Sequence, residues 1–381
     1  MSESKAMNMK YRIEKDILGE KKMPSEVYYG IYTLRGKENF QITKRGICRQ
    51  LIKSVTIVKK AAAKANYEAG ALEEKVADSI ILACDEILNG RLHGQFVTDL
   101  IQGGAGESIN MNANEVIANR ANEMLGGEKG KYEFVDPIKH VNYGQATNDV
   151  IPTAGKIAVI KQLKKLIVEL KKLENSFKIK SKEFGLTKAS EEFAAIATLL
   201  SRDIKRIEGS INDLSEINLG INALKQNTRG ADKYFKKIII YINKYSGETL
   251  RHSKNLLDST RSLDSFLWAS SCLKTLAVGL SKAANDINTL SNPEHREIVL
   301  PVVQIDSSNK EYNPVIIEMV NQVAFYVMGL DVTVTKAIEA GQLSNNIFLP
   351  IILTSLFESI SVLRRASRTL RELVIDDTKL A

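Results

Sequence analysis

The sequence is poor in the residues that cross-link or interrupt a chain. Its three cysteines, Cys48, Cys84 and Cys272, are odd in number and far apart, so they form neither a disulfide framework nor a CxxC metal pair. A reducing, cytoplasmic setting is expected from them, and no metal or cofactor. Proline is scarce, and none falls between Thr153 and Asn292. Internal proline removes a helical hydrogen bond, so its absence there argues for long helices. No run of about 18 apolar residues occurs, and no membrane span is expected. Met1 to Arg12 is polar and has no apolar signal region. Walker and Rossmann spacings are missing, as is a GxSxG elbow. His93, His252 and His295 stand in unrelated polar contexts and read as surface or packing residues; no Ser-His-Asp set suggests itself. Zinc-finger spacing, RGG repeats and basic strands studded with aromatics are absent too, which argues against a nucleic-acid partner.

What remains is the composition of a globular chain. Of 381 residues, 44% are hydrophobic and 26% charged, ample apolar mass for a core. The net charge of +8 comes from lysines and arginines interspersed at helical spacing, which reads as a solvated surface. Such a surface also attracts a small dicarboxylate. Residues 1–50 form a short, mixed, turn-rich segment. Helical patterns follow over Arg49–Ala69, Leu72–Leu88, Asn112–Leu125, Pro152–Phe184, Ser190–Leu219, Ser262–Leu290, Val315–Met328 and Asn346–Leu373. In the Ser190–Leu219 pattern, Phe193, Ile196, Leu200, Ile204, Ile207, Ile211 and Leu214 recur at near-heptad spacing. Seams of this kind suit a bundle of long helices, and a long bundle often continues across subunits.

Three polar segments are candidate sites. Gln102 to Asn112 is rich in Gly, Ser and Asn and precedes a helix. Glycine lets backbone approach a ligand, and helix N-terminal amides favour an anion. Taken alone, it reads as a plain glycine-rich loop. His140 to Asp149 packs Thr, Asn and Gln together just before a helix, a clamp for a carboxylate or simply a polar cap with Asp149 as N-cap. His140 reads as a structural hydrogen-bonding residue rather than a base. Leu300 to Pro314 is a Ser-rich loop in which Ser308 beside Lys310 could lose its proton, or a surface loop without chemistry.

These segments, in this order and separated by long helices, resemble the aspartase/fumarase superfamily over about Tyr11–Asp376. The specific matches are Gly103-Gly104-Ala105-Gly106, the run Asn110 to Arg120, Gly144-Gln145-Ala146-Thr147-Asn148-Asp149, and Glu339-Ala340-Gly341-Gln342-Leu343. The Gly-Gly-Ala-Gly form, with Tyr28-Tyr29-Gly30 upstream, looks like the aspartate ammonia-lyase branch. The resemblance implies an all-α fold, a long-helix bundle with a small mixed helical N-terminal domain. On this chain the domains fall at 1–140 and 141–381, and the family's small C-terminal domain is missing beyond Ala381. It also implies a homotetramer in which three subunits build each active site. The implied reaction removes a proton next to the β-carboxylate of aspartate and then expels ammonia to give fumarate. Ser108, Asn142, Thr147, Asn148 and Asn313 match substrate-binding positions, Gln145 and His140 match the surrounding pattern, and Ser308 and Lys310 are the candidates for catalytic roles.

The chemistry positions depart from the family pattern. Glu107 stands where a threonine is usual and would repel a substrate carboxylate. Ala146 replaces a serine, removing a donor. Between Phe184 and Glu192 only seven residues intervene, so the loop with Thr/His-Leu-Gln-Asp-Ala-x-Pro is lost. Asn222 to Asn227 replaces Thr-Ala-x-Gly-Thr-Gly, and the serine-loop signature survives only as Asp306-Ser307-Ser308 and Asn313-Pro314, with Glu311 at the lysine position. The expectation is an aspartase-type scaffold for a small dicarboxylate or amino acid, with activity lost or strongly reduced. An active lyase of altered specificity is the alternative, and a basic scaffold binding a protein or nucleic acid a third.

Overall fold

The structure is a computed structural model that describes residues 10–304 and 314–381. Among these, strand pairing is confined to three two-stranded pairs, and helices make up the rest of the architecture. The all-α expectation holds. A hairpin opens the chain, with β1 (Tyr11–Asp16) and β2 (Gly19–Pro24) antiparallel and Tyr11 opposite Pro24. The helices are α1 (Ile31–Asn39), α2 (Arg49–Glu68), α3 (Glu74–Leu88), α4 (Glu107–Met124), α5 (Thr147–Glu183), α6 (Lys188–Leu214), α7 (Ile221–Lys225), α8 (Ala231–Ser246), α9 (Leu256–Arg261), α10 (Asp264–Ser291), α11 (Val315–Glu339) and α12 (Leu349–Leu370). β3 (Glu216–Ile217) runs parallel to β4 (Arg251–His252), and β5 (Ile298–Val299) antiparallel to β6 (Lys379–Leu380).

The chain divides into two compact units, interleaved along the sequence. One comprises residues 1–158, 215–262 and 341–351, the other 159–214, 263–340 and 352–381. In the first, α2 packs on α3 and α8. Val55, Val58 and Ala62 of α2 are fully buried, with Ile80, Ala83 and Ile87 of α3 and Ile238 and Ile242 of α8. In the second, α10 packs on α6 and α11. The α6 seam is buried as its spacing predicts, except at Ile211, where Ser210 takes the inward place. Phe193 anchors it in edge-to-face contact with Phe177 (5.2 Å) and Phe184 (5.1 Å). Gly279 of α10 admits this packing, since a Cβ there would stand 2.8 Å from Leu199 Cδ2.

Several element bounds differ from the sequence expectation. α4 begins at Glu107, so the second half of the supposed glycine-rich loop is helix. The turn is made by Ala105 and Gly106, both at positive φ (58° and 90°), which leaves the following residues free to wind. α5 begins at Thr147 and carries Pro152 inside it. The helix tolerates that proline because the carbonyl it orphans, that of Asn148, accepts the Asn218 carboxamide at 2.9 Å. Helices α7 to α9 occupy a stretch where the pattern assigns no long helix. α11 runs on to Glu339 and is, by length and composition alone, apolar enough to cross a bilayer. It packs on α10 and carries a buried Asp331 that accepts from Lys274 at 2.6 Å and Ser270 at 2.7 Å.

Candidate functional site

The site grows from a misfit in the α2 stripe. Lys59 follows Val58 on the buried face and is itself fully buried. An ammonium without water is costly unless it is bonded. Here it donates to Asn142 Oδ1 at 2.6 Å and Gln145 Oε1 at 3.1 Å. Burial pushes its pKa down to about 7, while the nearby Asp149 and Glu107 carboxylates pull the other way. Asn142 and Gln145 sit on the turn between the π-helical segment Pro137–Val141 and α5. That turn fixes its own side chains: Asn142 donates to the Gln145 carbonyl (3.2 Å) and Gln145 to the Val141 carbonyl (3.0 Å).

Two helix N-termini complete the cluster. From α4, Asn110 Nδ2 donates to Asn142 Oδ1 (3.4 Å) and Thr147 Oγ1 (3.3 Å). From α5, the Thr147 hydroxyl donates to the Glu107 carboxylate, itself the first residue of α4. Glu107 is exposed at the outer edge of the cluster, and desolvation of its carboxyl still raises its pKa against the opposing pull of Lys59. Asp149 is buried and lies within the first turn of α5 rather than capping it as N-cap. Its Oδ1 accepts the Ala146 amide at 2.8 Å, the reach-back half of a capping box. Burial raises its pKa to about 6, opposed by the Ala146 amide and by Lys59.

The structure therefore gathers Asn142 and Thr147 with Gln145, and adds Lys59, Glu107, Asn110 and Asp149. Asn148 is adjacent, but its carboxamide donates to the Ser344 carbonyl at 3.3 Å. Ser108 faces α1, where a Cβ on Gly36 would lie 2.8 Å from its Oγ. Ser308, Lys310 and Asn313 lie outside the described residues. His140 accepts the Asp136 amide at Nδ1 (2.9 Å) and lines a separate cleft of about 750 Å³ with Glu73, Lys75, Glu133 and Arg229. His252 stacks on Phe235 with centroids 3.9 Å apart. Lys59 is the residue the sequence reading passes over. The available signal was a lysine at i+4 from Val55, inside an apolar stripe.

Amide, hydroxyl and ammonium donors converging beside helix N-termini make a carboxylate-binding arrangement, and its setting is the fold of the helical lyases. A solved fumarate lyase/δ-crystallin from Brucella melitensis superposes with a TM-score of 0.90 at 39% identity, over 97% of this chain and 89% of that one. A class II fumarase from Schistosoma mansoni gives a TM-score of 0.91 at 26% identity, over 97% and 85%. The lyase family model matches residues 19–329, and the chain belongs to that family, the aspartase/fumarase lyases. Among its relatives are the aspartate ammonia-lyases of a Bacillus species (43% identical over 96% of this chain and 82% of the relative) and of Escherichia coli (38% over 97% and 82%).

Proposed function

We propose that the cluster around Lys59 is the carboxylate seat of a carbon–nitrogen lyase of the aspartate ammonia-lyase type, in which elimination is strongly slowed. The relatives' substrate supports an amino acid or dicarboxylate as ligand. The slowing rests on one observation, the Glu107 carboxylate on the Thr147 hydroxyl. Proton removal next to a carboxylate builds a second negative charge on it, and preorganised donors lower that barrier. Glu107 places a fixed charge of the wrong sign among those donors, and Ala146 offers a methyl group where a donor is usual. The short segment between Phe184 and Glu192 weighs the same way. The second reading, an active lyase, is favoured by 38–43% identity to aspartate ammonia-lyases over nearly the whole chain. A homotetramer in the cytoplasm is the setting we propose for either.

Incubation with aspartate, while fumarate absorbance is followed, separates the two. The expected turnover is about 10²–10³-fold below that of the Bacillus relative, the usual loss for a disabled oxyanion donor. A matching rate sinks the slowing and retains the lyase. In that case Ser308→Ala tests the serine as base, and full activity of that variant excludes it.

A further inference from the structure

We infer that a basic cleft in the first unit binds a small molecule bearing a diphosphate, with an aromatic wall suited to a nucleoside diphosphate. The cleft shares no lining residue with the cluster around Lys59.

It has a volume of about 270 Å³ and is lined by Lys37, Phe40, Lys44, Arg45 and Val97, together with Asp99. A concave, partly apolar space on which a few polar groups converge is where small ligands bind. Neighbouring cations are paired: Arg12 with Glu14, Arg35 with Asp16 and Lys21 with Glu38. Those of the cleft are not. Lys44 and Arg45 make no side-chain hydrogen bond or ion pair among the described residues, and Lys37 only stands 6.0 Å from the Tyr29 ring centroid. All three are exposed and open to a ligand.

The acid on the lining does not neutralise them. Asp99 is buried, and its carboxylate accepts the Thr43 and Lys44 amides (2.9 Å each), the Thr43 hydroxyl (2.7 Å) and the Ile101 amide (2.9 Å). The same bonds clamp the turn that carries Lys44 and Arg45, and the Arg45 carbonyl accepts the Leu100 amide at 3.2 Å. Lys44 is held at a φ of 54°, a left-handed conformation that a lysine keeps only where its surroundings impose it. The backbone beneath both cations is therefore fixed before a ligand arrives, which lowers the ordering cost of binding.

The number and kind of cations select the ligand. An arginine fork and two ammonium groups, drawn from α1 and from the turn, exceed what one carboxylate engages and match the oxygens of two linked phosphates. Phe40 supplies the rest. Its ring is half-buried, and its tip lies against Gly103, where an added Cβ would stand 3.8 Å from Cζ. The ring is thus steadied on one side and leaves a surface on which a base stacks.

The test is titration calorimetry of the full chain, without added metal, with ADP, inorganic pyrophosphate and succinate. Wild type is compared with Lys37→Gln, Arg45→Gln and Phe40→Ala, each checked for fold by circular dichroism. Wild type is expected to bind ADP and pyrophosphate. Lys37→Gln and Arg45→Gln should each weaken both by about tenfold, the usual loss with one charge-assisted hydrogen bond. Phe40→Ala should weaken ADP by about tenfold and leave pyrophosphate unchanged. If Phe40→Ala weakens neither, the nucleoside is refuted and the free anion is the ligand. Succinate bound as tightly as ADP, and lost in the same variants, overturns the diphosphate class. A wild type that binds neither diphosphate, or binding that ignores Lys37 and Arg45, overturns the site.

Discussion

Lys59 is the residue on which the site's pH behaviour turns. Its folded pKa of about 7 lies below the ordinary 10.5. Between those values the unfolded chain holds a proton that the folded chain has released, so stability rises with pH across that window. Unfolding free energies from denaturant titrations at pH 7, 8 and 9 should climb by on the order of 1 kcal/mol per pH unit more in wild type than in Lys59→Met. Parallel slopes for the two proteins would refute this role. Asp149 acts in the opposite sense. Its folded pKa of about 6 exceeds the ordinary 3.8, so the folded chain holds the extra proton in that window and stability falls as pH rises through it. Asp149→Asn should flatten that fall, and an unchanged acid limb would contradict it. The sequence makes Asn142, Gln145 and Thr147 legible because they are packed into ten consecutive residues. Lys59, Asn110 and Glu107 reach the same point from distant elements. A lysine in an apolar stripe says only that something must bond it, and the partner lies 83 residues away.

Among the elements, α1 and α5 each depend on one side chain from elsewhere. Glu115 of α4 accepts the amides of Gly30 (2.9 Å), Tyr32 (2.9 Å) and Thr33 (3.1 Å), and also the Thr33 hydroxyl. It supplies the cap that Gly30 lacks as a residue without a polar side chain, and Gly30 has to be glycine because a Cβ there would stand 2.6 Å from Glu115 Oε1. Asn218 does the corresponding work for α5 at the carbonyl freed by Pro152. Asn218→Ala leaves that carbonyl without its partner, and a buried orphan costs about 1–3 kcal/mol. An unfolding free energy lowered by that amount, read as a lower denaturation midpoint, is expected, with loss of α5 register around Asn148. An unshifted midpoint would mean that water replaces the carboxamide. This dependence also explains which bounds the sequence conveys. Helices with a continuous apolar seam, such as α6 and α10, are legible to within a few residues. The starts of α4 and α5 are not, because Glu107 to Asn112 and Thr147 to Pro152 are polar or proline-bearing stretches made helical by contacts from α2, α7 and residue 218.

At the scale of the molecule, the unresolved weight lies on α11. The helix is apolar enough for a bilayer, yet one flank is left open, with Phe325 63%, Tyr326 49% and Val332 59% exposed. Phe325 and Val332 are two turns apart on that flank, so the exposure is a stripe rather than scattered residues. A contiguous apolar stripe in water marks an association surface. The buried Asp331, bonded to Lys274 and Ser270, fixes which side faces α10 and so which side remains for a partner. If that partner is another copy of the chain, light scattering should return four times the 42.3 kDa chain mass. Phe325→Glu combined with Val332→Glu puts two charges into the stripe and should lower the mass while helical circular dichroism persists. Phe325 and Val332 are exposed whereas Asp331 is buried, so a fall in mass with helical circular dichroism retained reports on association rather than on unfolding. A wild-type chain that scatters as 42.3 kDa would refute self-association, and the stripe would then require some other apolar cover.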